Sequence, residues 1–260
     1  MIIDAHAHIF PDKIAVKVSH SISDFYAFPY RVPASTADLL AGGAAAGIDR
    51  YLVCSVATVP HQTEHINDFL ISMASQYPQF TALCALHPDY EAYEEELDRA
   101  VARGLRGVKL HPDFQHFYID DEAYTPFFRA IARRGLPILM HMGDARYEFS
   151  QSARLVNLLR RVPELVVTAA HFGGYSAWDK STLLPKSENI YFDTSSSLAF
   201  LKKEDALRLI EHFGVDRFLF GTDFPIWEPK AEIERFLALG LSEAENQAIF
   251  EDNFRRLYGI

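Results

Sequence analysis

Seven side chains able to do chemistry fall in five short runs of the sequence. His6 and His8 lie in Asp4-Ala5-His6-Ala7-His8, and Lys109 and His111 in Gly107-Val108-Lys109-Leu110-His111-Pro112. His141 follows Pro137-Ile138-Leu139-Met140, His171 lies in Ala170-His171-Phe172-Gly173-Gly174, and Asp223 in Gly221-Thr222-Asp223-Phe224-Pro225. In an extended strand residues i and i+2 share a face. His6 and His8 therefore point the same way, as do Lys109 and His111, while Ala5 and Ala7 are expected on the opposite face. A lone strand-end His is more often hydrogen-bonded structure than ligand, and a lone Asp in such a run is usually a turn or cap. Two neutral imidazoles aimed into one cavity are different, because they have little structural use without a cation. Imidazoles plus a carboxylate suit Zn²⁺ first, with Mn²⁺, Fe²⁺ and Ni²⁺ as alternatives. A set of His6, His8, His141 and Asp223 leaves a coordination position for water, whose pKa such a metal lowers from 15.7 towards ~7. Asp223 can then both touch the metal and take a proton from that water, with His171 as an acid/base or a further ligand.

The elements that must position these groups are legible as an alternation of short apolar runs and longer amphipathic segments. The runs are Ile2–Ile9, Tyr51–Val56, Thr81–Leu86, Gly107–Leu110, Pro137–Met142, Leu165–Ala170, Ile190–Thr194 and Phe218–Gly221. Between them helices are predicted over Ser35–Ala46, His61–Gln76, Tyr90–Arg103, Glu122–Arg134, Ser150–Arg161, Lys203–Phe213 and Glu232–Leu239, with Ser181–Glu188 weak. Ser35 before Asp38 and Ser242 before Glu245 have capping spacing, and a last helix is predicted over Ser242–Leu257. Strands alternating with helices imply parallel βαβ units. Eight of them across residues 1–260, with no glycine-rich phosphate loop after the first, predict one α/β domain, a (β/α)₈ barrel. Every one of the seven groups then sits at the C-terminal end of a strand, where the active sites of such barrels lie.

Composition narrows the partners. The chain has 260 residues, 25 Lys+Arg against 35 Asp+Glu, and a net charge of −10, which argues against a nucleic-acid polyanion. No apolar run reaches the ~18–20 residues of a membrane span. The start, Met1-Ile2-Ile3-Asp4, lacks a basic leader pattern, so a cytoplasmic protein is expected. Cys54 and Cys84 sit in apolar stretches and read as buried thiols. Of eleven His, His20, His61, His65, His87, His116 and His212 are expected to be solvated or structural.

The ordered set of runs resembles the amidohydrolase superfamily, in particular the amidohydrolase-related branch that includes aminocarboxymuconate-semialdehyde decarboxylase, and the tail Asn253-Phe254-Arg255-Arg256-Leu257-Tyr258-Gly259 resembles that branch's C-terminal helix. The resemblance spans the whole chain. It implies a distorted barrel holding a divalent metal through His6, His8, His141 and Asp223, with His171 assisting. In binuclear relatives two ions are bridged by a carboxylated Lys on the fourth strand, here Lys109, and His171 joins the ligands. Without carboxylation Lys109 could bind a substrate carboxylate, or simply pair with a neighbouring acid.

Both hydrolases and decarboxylases of this branch use that metal set. Decarboxylases of the branch are usually longer, so the short chain and the Lys109-Leu110-His111-Pro112 run tilt the reading towards hydrolysis of an ester, lactone or amide-type bond in a small molecule. The alternative is nonoxidative decarboxylation of an aromatic or muconate-like acid. From another class comes a non-catalytic metal-binding barrel, against which the intact ligand set argues. Substrate contacts are expected from Lys109, His111, Arg146, Tyr175 and Trp227. Phe25, Tyr26, Phe28, Tyr30 and Arg31 of the first loop would cover the mouth or, alternatively, form a homodimer patch. Ser195, Ser196 and Ser197 show no recognisable Ser–His–Asp arrangement, so no serine nucleophile is expected.

Overall fold

All eight apolar runs become strands in the computed structural model, which describes residues 1–260. They are β1 (Ile3–His8), β2 (Arg50–Cys54), a third strand interrupted at Leu83 into β3 (Phe80–Ala82) and β4 (Cys84–Ala85), β5 (Val108–Leu110), β6 (Ile138–Met140), β7 (Val167–Ala169), β8 (Ile190–Asp193) and β9 (Phe218–Leu219). Pairing is parallel throughout, in the orders β1-β2-β3 and β4-β5-β6-β7-β8-β9. Backbone bonds bridge the two sheets where the third strand breaks, from Leu83 N to Val53 O at 3.0 Å and from Cys84 N to Gly107 O at 2.8 Å. At the other seam Ala5 N donates to Phe220 O at 2.7 Å, Asp223 N to His6 O at 2.8 Å and His8 N to Phe224 O at 2.8 Å. Asp4 reinforces this seam by accepting from Thr222 N at 2.9 Å and Thr222 Oγ1 at 2.6 Å. The ring of strands is thereby closed at both junctions, as a (β/α)₈ barrel requires.

Most apolar side chains pack between strands and the surrounding helices, and a second, smaller cluster fills the barrel interior. That interior takes Ile3, Ala5, Leu52, Cys54, Leu83, Leu139, Ala170 and Leu219 from successive strands, with Phe254 and Tyr258 reaching in from the C-terminal helix. Ala5 is thus inside, although strict alternation places it outside with Ala7. The register explains this: three steps from Asp4 to Ala7 oppose two from Tyr51 to Val53, a β-bulge that resets the phase. Ala7 packs in the outer core, and His6 and His8 face the barrel mouth, as expected.

The helices are α1 (Asp12–Tyr26), α2 (Thr36–Ala46), α3 (Thr63–Gln76), α4 (Tyr93–Ala102), α5 (Pro112–Gln115), α6 (Thr125–Arg133), α7 (Ser152–Arg161), α8 (Lys203–Phe213), α9 (Pro229–Leu237), α10 (Glu243–Gln247) and α11 (Asn253–Tyr258). Ser35 caps α2 through Asp38 N, and Ser242 with Glu245 forms a complete capping box. Gly47 ends α2 at φ 80°, a conformation that costs glycine little. Two differences from the sequence expectation stand out. The last helix is interrupted by a π turn over Ala248–Asp252, where Ile249 O is taken by Phe220 N at 3.0 Å, so the helical ladder widens to release it. And α1 was not expected, because Ile14, Val16, Val18 and Ile22 are β-branched and four Ser or Thr-like turn formers, Ser19, Ser21, Ser23 and Asp24, interleave with them. Both Cys are buried free thiols, and no helix is long and apolar enough to cross a membrane.

Candidate active site

All seven groups predicted to meet at the barrel mouth do meet. His6, His8, Lys109, His111, His141, His171 and Asp223 line one cavity of about 810 Å³, and each is at most 8% exposed. Within it three atoms form a tight triangle: His6 Nε2 lies 3.2 Å from His8 Nε2 and 3.6 Å from Asp223 Oδ1, and His8 Nε2 lies 3.3 Å from Asp223 Oδ1. Gly221 permits this approach, since a Cβ there would come within 3.0 Å of His6 Cβ.

Hydrogen bonds and neighbouring charges fix what His6 and Asp223 present to the triangle. His6 Nδ1 donates to Asp193 Oδ2 at 2.9 Å, so its proton is on Nδ1 and Nε2 offers a lone pair. Burial and the adjacent Lys109 both push the His6 pKa down, which keeps it neutral. Asp223 stays ionised: burial opposes this, but His6, His8 and His171 hold its pKa well below the usual range. Its second oxygen, Oδ2, accepts from Ser196 Oγ at 2.5 Å, and Trp227 Nε1 donates in turn to Ser196 Oγ at 2.9 Å. Lys109 Nζ lies 2.8 Å from His6 Nε2. Ring nitrogens and a carboxylate oxygen crowded in this way match the edges of a metal polyhedron, since bonds of about 2.0–2.2 Å place neighbouring ligand atoms about 3.0–3.5 Å apart. The donor set fits a divalent cation.

His141 and His171 form the next part of the cluster. His171 Nδ1 donates to Ser195 O at 3.1 Å, and its Nε2 accepts from His141 Nδ1 at 3.0 Å. Burial, followed by the effect of His141, lowers the His171 pKa to about 3, so it is a neutral acceptor. Its ring stacks on His6 at 5.3 Å. His141 Nε2 turns towards Asp113, 3.2 Å from Oδ2 but out of hydrogen-bond alignment, leaving that nitrogen and both Asp113 oxygens buried without a partner. His111 is sandwiched between Phe114 at 3.8 Å and His141 at 4.0 Å, and its Nε2 meets Tyr26 Oη at 3.0 Å.

Of the residues expected to contact substrate, Lys109 and His111 line the large cavity, and Tyr175 lines a small adjoining pocket behind Tyr26. Arg146 is engaged elsewhere: it pairs with Asp144, donates to Phe25 O at 2.7 Å and stacks on Phe25, pinning its loop to α1. Trp227 supports Asp223 through Ser196. Three groups were missed. Asp193 ends β8, so the strand-end rule that selected the histidines could have found it. Ser196 was weighed only as a nucleophile, whereas it orients a carboxylate. Asp113 carried no signal of its own. His61 and His65, expected to be bystanders, line the outer cavity. His171, Ser196 and Asp223 all have left-handed backbones, at φ 60°, 49° and 58°, a cost of about 1–3 kcal/mol each that the bonds above must offset.

A family model described as amidohydrolase matches residues 3–260. The curated gamma-resorcylate decarboxylase of Polaromonas sp. is 26% identical over 249 residues, covering 75% of each chain. A dihydroxybenzoic acid decarboxylase structure from Polaromonas sp. JS666, with bound manganese and the inhibitor 2-nitroresorcinol, superposes with a TM-score of 0.76 at 18% identity, covering 99% of this chain and 96% of that one. A structure described as a 2-pyrone-4,6-dicarboxylic acid hydrolase from Pseudomonas putida gives a TM-score of 0.72 at 22% identity, covering 99% and 97%.

Proposed function

The chain belongs to the amidohydrolase family, and we propose that within it the protein is a metal-dependent, nonoxidative decarboxylase of a hydroxylated aromatic acid. The observation that carries this reading is the cavity's division of labour. Seven of its charged and imidazole groups gather at the buried end, Lys13, His61 and His65 stand at the rim, and most of the remaining wall is apolar, with Phe10, Phe114, Pro225 and Ile226 nearest the cluster in sequence. Loss of CO₂ disperses a carboxylate's charge and needs no water, so an apolar wall favours it. A dicarboxylated lactone would instead bring two carboxylates to a lining whose lysines, Lys109 and Lys13, stand at a buried and an exposed position. The decarboxylases named above support the same choice. Chain length, which tilted the sequence reading to hydrolysis, does not discriminate, because this chain covers 96% of a decarboxylase structure.

His6, His8 and Asp223 would hold the metal, His141 would join them only on turning its Nε2 away from Asp113, and manganese is the first candidate, since it is the metal in the neighbouring structure. Such an ion supplies a positive charge that lowers the pKa of a phenolic hydroxyl and orients a carboxylate beside it. Asp223 accepts the proton released by the substrate hydroxyl and returns it to the ring carbon that bears the carboxylate. The carbon–carboxylate bond then breaks, its electron pair returns to the ring, and CO₂ leaves. Ser196 and Trp227 orient Asp223 for both transfers, His171 is the second proton-handling group, and Lys109 meets the departing carboxylate. Carboxylation of Lys109 would replace that role with a bridge between two ions. The test is to incubate manganese-loaded protein with 2-hydroxy- and 2,6-dihydroxybenzoates in D₂O. Release of CO₂ with deuterium at the vacated carbon is expected. Turnover of esters or lactones without CO₂ release from any aromatic acid would overturn the reading.

A further inference from the structure

The cavity is larger than a one-ring acid needs. Its 810 Å³ lies high in the range of about 300–1,000 Å³ typical of pockets for drug-sized ligands, whereas a dihydroxybenzoate has only about a dozen non-hydrogen atoms. It also runs from the buried cluster to the surface. The same cavity is lined by His6 and Lys109, at 0% and 1% exposure, and by exposed Lys13, Ile14, His61 and His65. Between these ends its walls are two helices. On α1, Ile14, Val18 and Ile22 recur every four residues and form one stripe facing the cavity, and on α3 Ile66 and Phe69 face it from the other side.

This stripe has no counterpart in the core. Only Ala15 and Ser19 of α1 are buried, so the helix spends its apolar residues on the cavity. Tyr26, bonded to His111, and Phe25, held under Arg146, fix the end of α1 beside the metal-competent cluster. The corridor is therefore continuous with the site and anchored to it.

We propose that the substrate is a hydroxylated aromatic acid bearing an apolar side chain, alkyl or aryl, which lies in this corridor between α1 and α3 while the carboxylated ring sits at the metal cluster. The inference rests on the decarboxylase reading for the ring's chemistry and on the corridor alone for the side chain. Each methylene that leaves water there should raise kcat/KM about 4-fold until the chain reaches the polar rim of Lys13, His61 and His65.

The test uses manganese-loaded full-length protein and 2-hydroxybenzoates carrying hydrogen, methyl, propyl or pentyl at ring position 4 or 6, assayed for CO₂ release and, in parallel, for binding by calorimetry. Rising kcat/KM and tightening binding along one series are expected, and Val18→Asp, on a half-buried position of α1, should flatten both trends. If the unsubstituted acid is decarboxylated as well as the alkylated ones and binds equally well, the inference is overturned and the reaction reading stands. If no acid releases CO₂ yet binding still tightens with chain length in a manner abolished by Val18→Asp, the reaction reading fails and the corridor's ligand class stands. Binding independent of chain length, with a dimer in solution that Val18→Asp dissociates, would assign the stripe to a second copy of the chain and overturn the inference.

Discussion

Replacing Asp193 by Asn makes the sharpest demand on the hydrogen-bond reading of the site. Asp193 Oδ1 accepts from His171 N at 3.0 Å, Ser195 N at 3.1 Å and Ser195 Oγ at 2.5 Å, and Oδ2 accepts from His6 Nδ1 at 2.9 Å. An Asn of the same shape can keep its single carbonyl oxygen on the first three donors. Its NH₂ then faces the His6 Nδ1 proton, donor against donor. His6 must either swing away or move its proton to Nε2, and the second choice points an N–H into the triangle with His8 and Asp223. Groups that orient a ligating His are worth 10–100-fold in metal affinity, or about 1.4–2.7 kcal/mol. The Asp193→Asn variant should therefore bind Mn²⁺ about 10–100-fold more weakly by calorimetry, with unchanged circular dichroism and activity restored at high metal. Asp193→Ala is the discriminating partner. It removes the clash and leaves Ser195 Oγ, 3.1 Å from His6 Nδ1, as a substitute acceptor, so it should bind metal better than the Asn variant although it is less stable. Equal or tighter metal binding by Asn than by Ala would refute the tautomer argument.

Other outcomes follow from single features. Ser196→Ala should lower kcat about 10–100-fold with little change in KM, since Asp223 loses a hydrogen bond to a charged group worth about 1.5–3 kcal/mol; an unaltered kcat would remove Ser196 from the positioning of Asp223. Glu232 is a pH-dependent liability: burial, only partly offset by Arg235, raises its carboxyl from 4.5 to about 7. Its contribution is fully present below pH ~4.5 and is lost as pH rises through ~7, about 3 kcal/mol in all. Chemical denaturation of Glu232→Gln should show that loss abolished between those pH values, and a pH slope equal to that of the native chain would contradict it. Phe254→Ala opens the barrel interior beneath the site and should cost about 3–5 kcal/mol of unfolding free energy, read as a lowered denaturation midpoint; a loss below 1 kcal/mol would mean that α11 does not close the interior.

How much of this was legible from sequence depends on the length scale of the signal. The strand-end groups could be read because period-2 alternation and the barrel's geometry convert local spacing into a shared destination, and all seven reached one cavity. The same alternation failed at Ala5, where a bulge inserts a residue without any mark in composition. α1 escaped because its apolar stripe serves a cavity and not the core, and β-branched residues hide its helical character. Partner choice was the least accessible level. His141 and Asp223 arrive at the mouth as expected, but which oxygen meets which nitrogen depends on Asp193, Ser196 and Asp113, whose roles exist only across strands. Arg146 illustrates the limit, since a cation near the mouth was read as a substrate contact and is consumed by Asp144.

Anomalous diffraction from crystals grown with Mn²⁺ tests most directly whether the His6–His8–Asp223 triangle holds the catalytic divalent ion. One strong peak is expected within about 2.0–2.3 Å of His6 Nε2, His8 Nε2 and Asp223 Oδ1. A peak seated only among His111, Asp113 and His141, a separate buried cluster with metal-competent spacing, or no peak at all, would contradict that placement.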